Sequence, residues 1–231
     1  RIAYTAQDRF GLFLAIGVTS MLLFHVFVNV GMNMGIAPVT GIPLPLVSYG
    51  GTSLIVAMAA LGLGAAVGDA VVSIGTSGTV FTISAKAIHD TTGTIAGFAD
   101  CTGNFLPITV TLNAARLVNQ VREVLDVDFD ELSELALKAE PGSNGMTTIP
   151  FFEGERTPNL PNSKGSIHGV TLSSFTAPNL ARSVIEGMLC GLQFGLGRLQ
   201  QAGIPAQRLL LIGGSAQNAA VQQIAATVFD V

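Results

Sequence analysis

Residues 10–68 form 59 consecutive positions without a single Asp, Glu, Lys or Arg. Such a run has no charged side chains with which to make a solvated face, which counts against a domain folded in water. Over the whole chain 11% of residues are charged, against about 25% in a typical soluble domain. That average mixes two populations. Arg1, Asp8 and Arg9 are the only charges before Asp69, whereas residues 65–231 carry 9 basic and 14 acidic side chains, spaced as on a soluble surface. The break predicts two parts, 1–64 and 65–231.

In the first part, Phe10 to Val30 is a run of 21 uncharged residues, about the length needed to cross a hydrocarbon core as a helix. Arg1 and Arg9 flank it and favour a cytoplasmic start; the length of the run and the lack of a cleavage site after it argue against a signal peptide. Residues 31–53 follow with three prolines and five glycines, which a regular helix does not accommodate. Ser53 to Val67 is again apolar and rich in small residues that suit close helix contact. The reading is two membrane-type α-helices joined by a Pro/Gly-rich loop, with lipid as the partner of residues 10–67. His25 receives no role. A buried hairpin of a soluble domain is the alternative, and the missing solvent face counts against it.

The stretch GMNMGIAPVTGIPLPLVSYGGTSLI, Gly31 to Ile55, resembles the signature near the end of the SEDS family, the RodA and FtsW proteins of cell shape, elongation and division. The PVTGIPLP form, Pro38 to Pro45, is closer to RodA. Members are inner-membrane glycosyltransferases that polymerise lipid II into peptidoglycan. The resemblance implies the family's last spans, without the earlier loop that bears its essential aspartate. No acidic residue lies between 10 and 68 to replace it. Glycan polymerisation is not expected of this part.

The second part reads as α/β. Val71 to Ile74 and Thr79 to Ile83 have the β-branched content of buried strands, with Asp69 expected in a turn ahead of them. The turn between the two runs, Gly75-Thr76-Ser77-Gly78, offers backbone donors and hydroxyls of the kind a phosphate chain needs, and is equally the composition of a plain hairpin turn. Thr111 or Asn113 is placed to cap a helix running to about Leu125. Phe129 to Lys138 is acidic early and basic late, as a helix dipole prefers. Asn179 to Gln201 repeats apolar residues at helical spacing (Leu180, Val184, Met188, Leu192, Leu196, Leu199), which marks a core face. Arg208 to Ile212 is a short apolar strand, then Gly213-Gly214-Ser215, then a helix expected from about Ala216 to Phe229. Strand, Gly-Gly turn and helix suit a nucleotide, and occur also where nothing binds.

Gly165 to Glu186, GSIHGVTLSSFTAPNLARSVIE, is similar position by position to the second signature of the FGGY carbohydrate kinases, and GERTPNLP (Gly154 to Pro161), AGFAD (Ala96 to Asp100) and TLNAAR (Thr111 to Arg116) resemble the same family in its xylulose-kinase form. The resemblance implies two actin-like, ribonuclease H-like domains with ATP and Mg2+ between them and phosphoryl transfer to a pentulose, D-xylulose. It implies that the ATP phosphates lie at Gly75, Thr76, Ser77 and Gly78, and the adenosine at Gly213, Gly214 and Ser215, with Asn218 beside the nucleotide. Residues 65–231 are then an incomplete actin-like domain, truncated after Val231 and without the sugar-binding first domain. The family's general base is an aspartate in a GDN motif. The corresponding stretch here, Tyr49 to Met58, has no carboxylate, so turnover is expected to be negligible, with no catalytic residue assigned. Asp69 and Asp100 receive no base role.

Both resemblances share an ALGLG-like run, Ala60 to Gly64, and the change of family falls inside it with no linker. The first part is expected at the inner membrane and the second in the cytoplasm. Cys101 and Cys190 lack metal-type spacing and are expected as reduced thiols. No basic run indicates nucleic acid.

Overall fold

The computed structural model describes Ile16, Thr19, Ser20, Leu23, Phe24, residues 67–99 and residues 103–230. The chain divides into two compact units, Arg1–Leu63 and Gly64–Val231. In the first, the five described residues are helical. The expected spans, the Pro/Gly-rich loop, His25 and the Ala60–Gly64 run lie outside the described residues, as do Asp100 and Cys101. Among the described residues, no helix is long and apolar enough to cross a membrane.

The second unit is built on a five-stranded sheet. β1 (Asp69–Ile74) and β2 (Gly78–Thr82) are buried along their whole lengths, and they form an antiparallel hairpin in which Ser73 faces Thr79 and Ile74 faces Gly78. β3 (Ala96–Ala99) pairs with β4 (Phe105–Thr111), and β4 returns antiparallel to β2. β5 (Thr147–Ile149) and β6 (Ser166–His168) make a separate two-stranded sheet. The last strand, β7 (Arg208–Ile212), joins the main sheet parallel to β1, giving the order β3-β4-β2-β1-β7. Four strands paired antiparallel, with β7 added parallel to β1 and helices between, is an α/β arrangement.

The helices described in this unit are α1 (Ala115–Leu125), α2 (Phe129–Lys138), α3 (Ala177–Gln201) and α4 (Ala219–Phe229); α3 packs on β2 and β4, and the other three pack on α3. Alternate strand residues Ala70, Val72, Ile74 and Val80 share one core with Leu117, Val121, Leu132, Val184, Met188, Leu192, Leu196, Leu199, Ile224 and Phe229. The stripe read from the sequence of α3 is that core face, with Leu180 half-buried at its start. α2 starts in a capping box: Asp128 accepts from Asp130 and Glu131 backbone N–H, and Glu131 accepts in return from the Asp128 N–H. Thr176 caps α3 by accepting from the Asn179 N–H.

Four local expectations are corrected. Val67, expected at the end of a helix, sits in a parallel bridge to Ile83. Neither Thr111 nor Asn113 caps α1. The cap position is Ala114 with no side-chain bond, because Thr111 is still in β4 and the Asn113 amide is engaged elsewhere. Asp69 is not in a turn but in β1, where it holds Arg208 of β7 through two bonds of 2.9 and 2.6 Å. The last helix does not begin near Ala216: a 3-10 turn over Gly214–Gln217 comes first, and α4 starts after Asn218.

Arg182 of α3 is 6% exposed. Its Nε donates to Glu186 at 2.7 Å and its Nη1 to the carbonyls of Ala136 and Ala139. Glu186 in turn accepts from the Gly142 N–H and the Ser143 hydroxyl. This pair ties α3 to the end of α2, and removing one partner of a buried pair leaves the other charge uncompensated. Arg182→Ala is expected to cost about 3–5 kcal/mol in urea unfolding, and the double replacement Arg182→Met with Glu186→Leu to cost less.

Candidate functional site

Because β1 and β7 run in the same direction with Ser73 beside Ile212, both strands leave the sheet at one end. The chain after each is glycine-rich, and the packing demands it. Gly213 has φ +105°, and a Cβ there would collide with the Ile74 carbonyl oxygen. At Gly78 a Cβ would come within 2.6 Å of the Thr111 hydroxyl and 2.7 Å of Leu192. The two glycine turns singled out in the sequence therefore meet at the end of the β1–β7 pair.

The Gly75 N–H donates to the Ser77 carbonyl at 3.1 Å, which tightens the first turn, and the Gly75 carbonyl accepts from the Ala115 N–H at 3.0 Å. That second bond anchors the start of α1 on the turn. Thr76 is exposed and Ser77 half-buried, and among the described residues neither hydroxyl has a hydrogen-bond partner. On the β7 side, Gly214 is exposed and Ser215 half-buried, within the 3-10 turn that leads to α4. Residues 73–78 and 212–218 contain no charged side chain. Backbone donors, free hydroxyls and nearby helix starts make an end of the sheet suited to an anion.

Asn218 stands at the start of α4. Its side-chain oxygen caps α4 through the Val221 N–H at 3.1 Å, and its amide donates to the Ser133 hydroxyl. Asp69 is set apart from the turns at the opposite end of β1, where its hydrogen bonds hold the Arg208 guanidinium even more firmly protonated than usual. Among the described residues, no group of three or more His, Cys, Asp or Glu is arranged to hold a metal ion. Cys190 is an exposed free thiol, raised above its ordinary range by partial desolvation and then by the Glu186 charge.

One residue with a central position escaped the sequence reading. Glu155, in the GERTP stretch, is 2% exposed and accepts from the Leu112 N–H at 2.6 Å, the Asn113 amide at 3.1 Å and the Arg156 N–H at 2.8 Å. Asn113 also donates to the Gly154 carbonyl. This carboxylate thus pins residues 154–156 to the link between β4 and α1, which is anchored on the Gly75 turn. The only signal in the sequence was the TLNAAR and GERTP motifs themselves, which do not say that they touch. A cavity of about 460 Å3 lies between α3 and β5, lined by Met146, Thr148, Pro150, Phe151, Cys190 and Phe194 among others, and none of the glycine-turn residues borders it. Glu155→Ala removes three donors' acceptor at once and is expected to cost about 3 kcal/mol in thermal or urea unfolding.

Residues 70–231 match the C-terminal domain of the FGGY family of carbohydrate kinases, and residues 1–71 match the cell cycle protein family of FtsW, RodA and SpoVE. The chain is 38% identical over 163 residues to a xylulose kinase of Haemophilus influenzae, covering 71% of this chain and 33% of that one. It superposes on the crystal structure of xylulose kinase from Bifidobacterium adolescentis with a TM-score of 0.71 and 45% identity, covering 75% of this chain and 34% of that one. Its first part is 62% identical over 57 residues to the peptidoglycan glycosyltransferase RodA of Treponema pallidum, covering 25% of this chain and 13% of that one. The chain spans about a third of the length of the xylulose kinases it matches. Its larger part has the actin-like α/β fold of those sugar kinases, and the chain therefore belongs to the FGGY family of carbohydrate kinases, with a RodA-like segment joined ahead of that domain.

Proposed function

We propose that residues 65–231 are the ATP-binding half of a xylulose kinase, in which MgATP is held at the two glycine turns. The observation that carries this reading is the meeting of Gly75–Gly78 and Gly213–Ser215 at one end of the parallel β1–β7 pair, with Gly213 pressed on Ile74. Thr76, Ser77 and the backbone N–H groups of the first turn would receive the phosphates, and Gly213, Gly214 and Ser215 would face the adenosine, with Asn218 acting through the cap it gives to α4. Mg2+ would be held by the bound phosphates, which Thr76, Ser77 and the first turn's N–H groups position, and would supply charge neutralisation at the phosphoryl group. The protein's own contribution is to orient the phosphate chain with fixed donors.

Phosphoryl transfer also needs a residue that accepts the proton of the attacking hydroxyl. Tyr49 to Met58, which stands where the family has its aspartate, has no carboxylate. We therefore infer that the chain binds nucleotide without phosphorylating D-xylulose, and that the pentulose belongs to the complete parent kinase. A coupled assay of the full chain with ATP and D-xylulose is expected to show no sugar-dependent ADP release.

At ATP concentrations about 100-fold above the dissociation constant, binding to the folded state contributes about 2.7 kcal/mol, which raises the melting temperature of a unit this size by roughly 5–10 °C. Thr76→Glu places a carboxylate on an exposed turn residue. It is expected to leave the melting temperature of the free protein unchanged and to abolish the rise with ATP. Absence of any rise in the unaltered chain would overturn the nucleotide reading.

The match of residues 1–71 favours a second reading for that part: a remnant of a RodA/FtsW-type peptidoglycan glycosyltransferase of cell shape or division, with residues 10–67 in the inner membrane and residues 65–231 on the cytoplasmic side.

A further inference from the structure

The loop from β6 into α3 has an unusual surface for a chain with a net charge of −4. Residues 167–173 are exposed without interruption, and the large side chains among and beside them are apolar: Ile167, Val170, Leu172 at 104% exposure and Phe175 at 62%. These residues are not loosely held. The Thr171 N–H donates to the Ser174 hydroxyl at 2.9 Å, that hydroxyl donates to the Gly169 carbonyl at 3.3 Å, and the Phe175 N–H donates to the Thr171 carbonyl at 3.0 Å. Buried Asn179 fastens the whole turn to α3 by donating to the Ser174 carbonyl at 2.8 Å. The apolar side chains are thus presented outward on a pre-organised protrusion.

Along the chain on either side of this tip the charge has one sign, while Glu140 and Glu186 lie on or against the 140–145 segment that Gly169 packs on. From residue 156 to residue 185 there is no Asp or Glu, while Arg156, Lys164 and Arg182 are basic and His168 carries an imidazole. Arg182 is buried, but Arg156, Lys164 and His168 are exposed. Exposed apolar side chains preceded along the chain by exposed basic ones suit an anionic lipid surface, with the apolar tip in the headgroup boundary and the cations paired with headgroups. The uncharged run that ends at residue 68 stops at the very start of β1. A domain tethered so closely to a bilayer meets lipid at high effective concentration.

We propose that the Lys164–Phe175 loop is a docking surface for an anionic bilayer. This rests on the reading of residues 10–67 as membrane-embedded, and the test separates the two. The chain has no Trp, so Leu172→Trp gives a single reporter on the loop, and Val124→Trp gives one on the exposed face of α1. Each full-length variant is reconstituted with vesicles of phosphatidylcholine and phosphatidylglycerol in equal parts, floated, and measured with and without brominated acyl chains. The expected result is that both variants float, and that the indole at position 172 is blue-shifted and quenched by bromine several-fold more strongly than the one at position 124. Lys164→Glu, or vesicles of phosphatidylcholine alone, is expected to weaken that quenching. A chain that does not float overturns the membrane reading and this proposal with it. A chain that floats with equal or no quenching at the two positions overturns the loop contact alone. A blue shift that grows with protein concentration, without bromine quenching, also overturns it and assigns the loop to a second copy of the chain.

Discussion

The contact between Gly213 and the Ile74 carbonyl is the constraint on which the arrangement of the kinase-like unit depends. It requires β7 to lie parallel and in register with β1 as far as Ser73 and Ile212, and it admits no side chain at position 213. A parallel neighbour for β1 can be reached only by a long crossover, and here the chain between β2 and β7 supplies three helices and the small β5–β6 sheet. The same pairing gathers both glycine turns and the start of α1 at one end of the sheet, the end at which open α/β sheets bind ligands. Asp69 and Arg208 close the opposite end of the pair. One end is locked by charge, and the other is left open and uncharged.

What the sequence made legible was local and repetitive. Strands β1, β2 and β7 show as β-branched or apolar runs, and the stripe from Val184 to Leu199 has helical periodicity strong enough to fix the core face of α3. Both candidate turns were visible as glycine clusters after strands. What it did not reveal were polar groups whose partners lie far away in the chain. Asn113 looked like a helix cap, yet its amide bonds to Gly154 and Glu155, about forty positions on. Asp69 looked like a turn residue, yet its partner is 139 residues away. A cap is a preference of neighbours, whereas a buried carboxylate is decided by whatever donors tertiary packing brings to it. Likewise the late start of α4 follows from Asn218, whose bond to Val221 sets the first turn, and apolar periodicity carries no information about that.

The two family matches meet within residues 70–71, inside β1, a strand buried from end to end. Fusions between independent domains ordinarily place an exposed polar linker at the join. Here an uncharged run fit for lipid leads straight into the central region of a sheet that requires water on its outer surfaces. The part that resembles a sugar kinase and the part that resembles a glycan polymerase make opposite demands on solvent, with no spacer residues between the two matches.

The backbone just before β1 shows how little slack that leaves. Val67 bridges to Ile83 on one side, and the Gly68 carbonyl accepts from the Gln207 N–H at 2.8 Å on the other. Tension applied to the chain ahead of Val67 would therefore not peel an edge strand bond by bond. It would load β1 lengthwise between two hydrogen-bonded neighbours, a shear geometry in which many bonds must yield together. A load on the chain at Val67 would act first on β1, the strand that leads into the Gly75 turn.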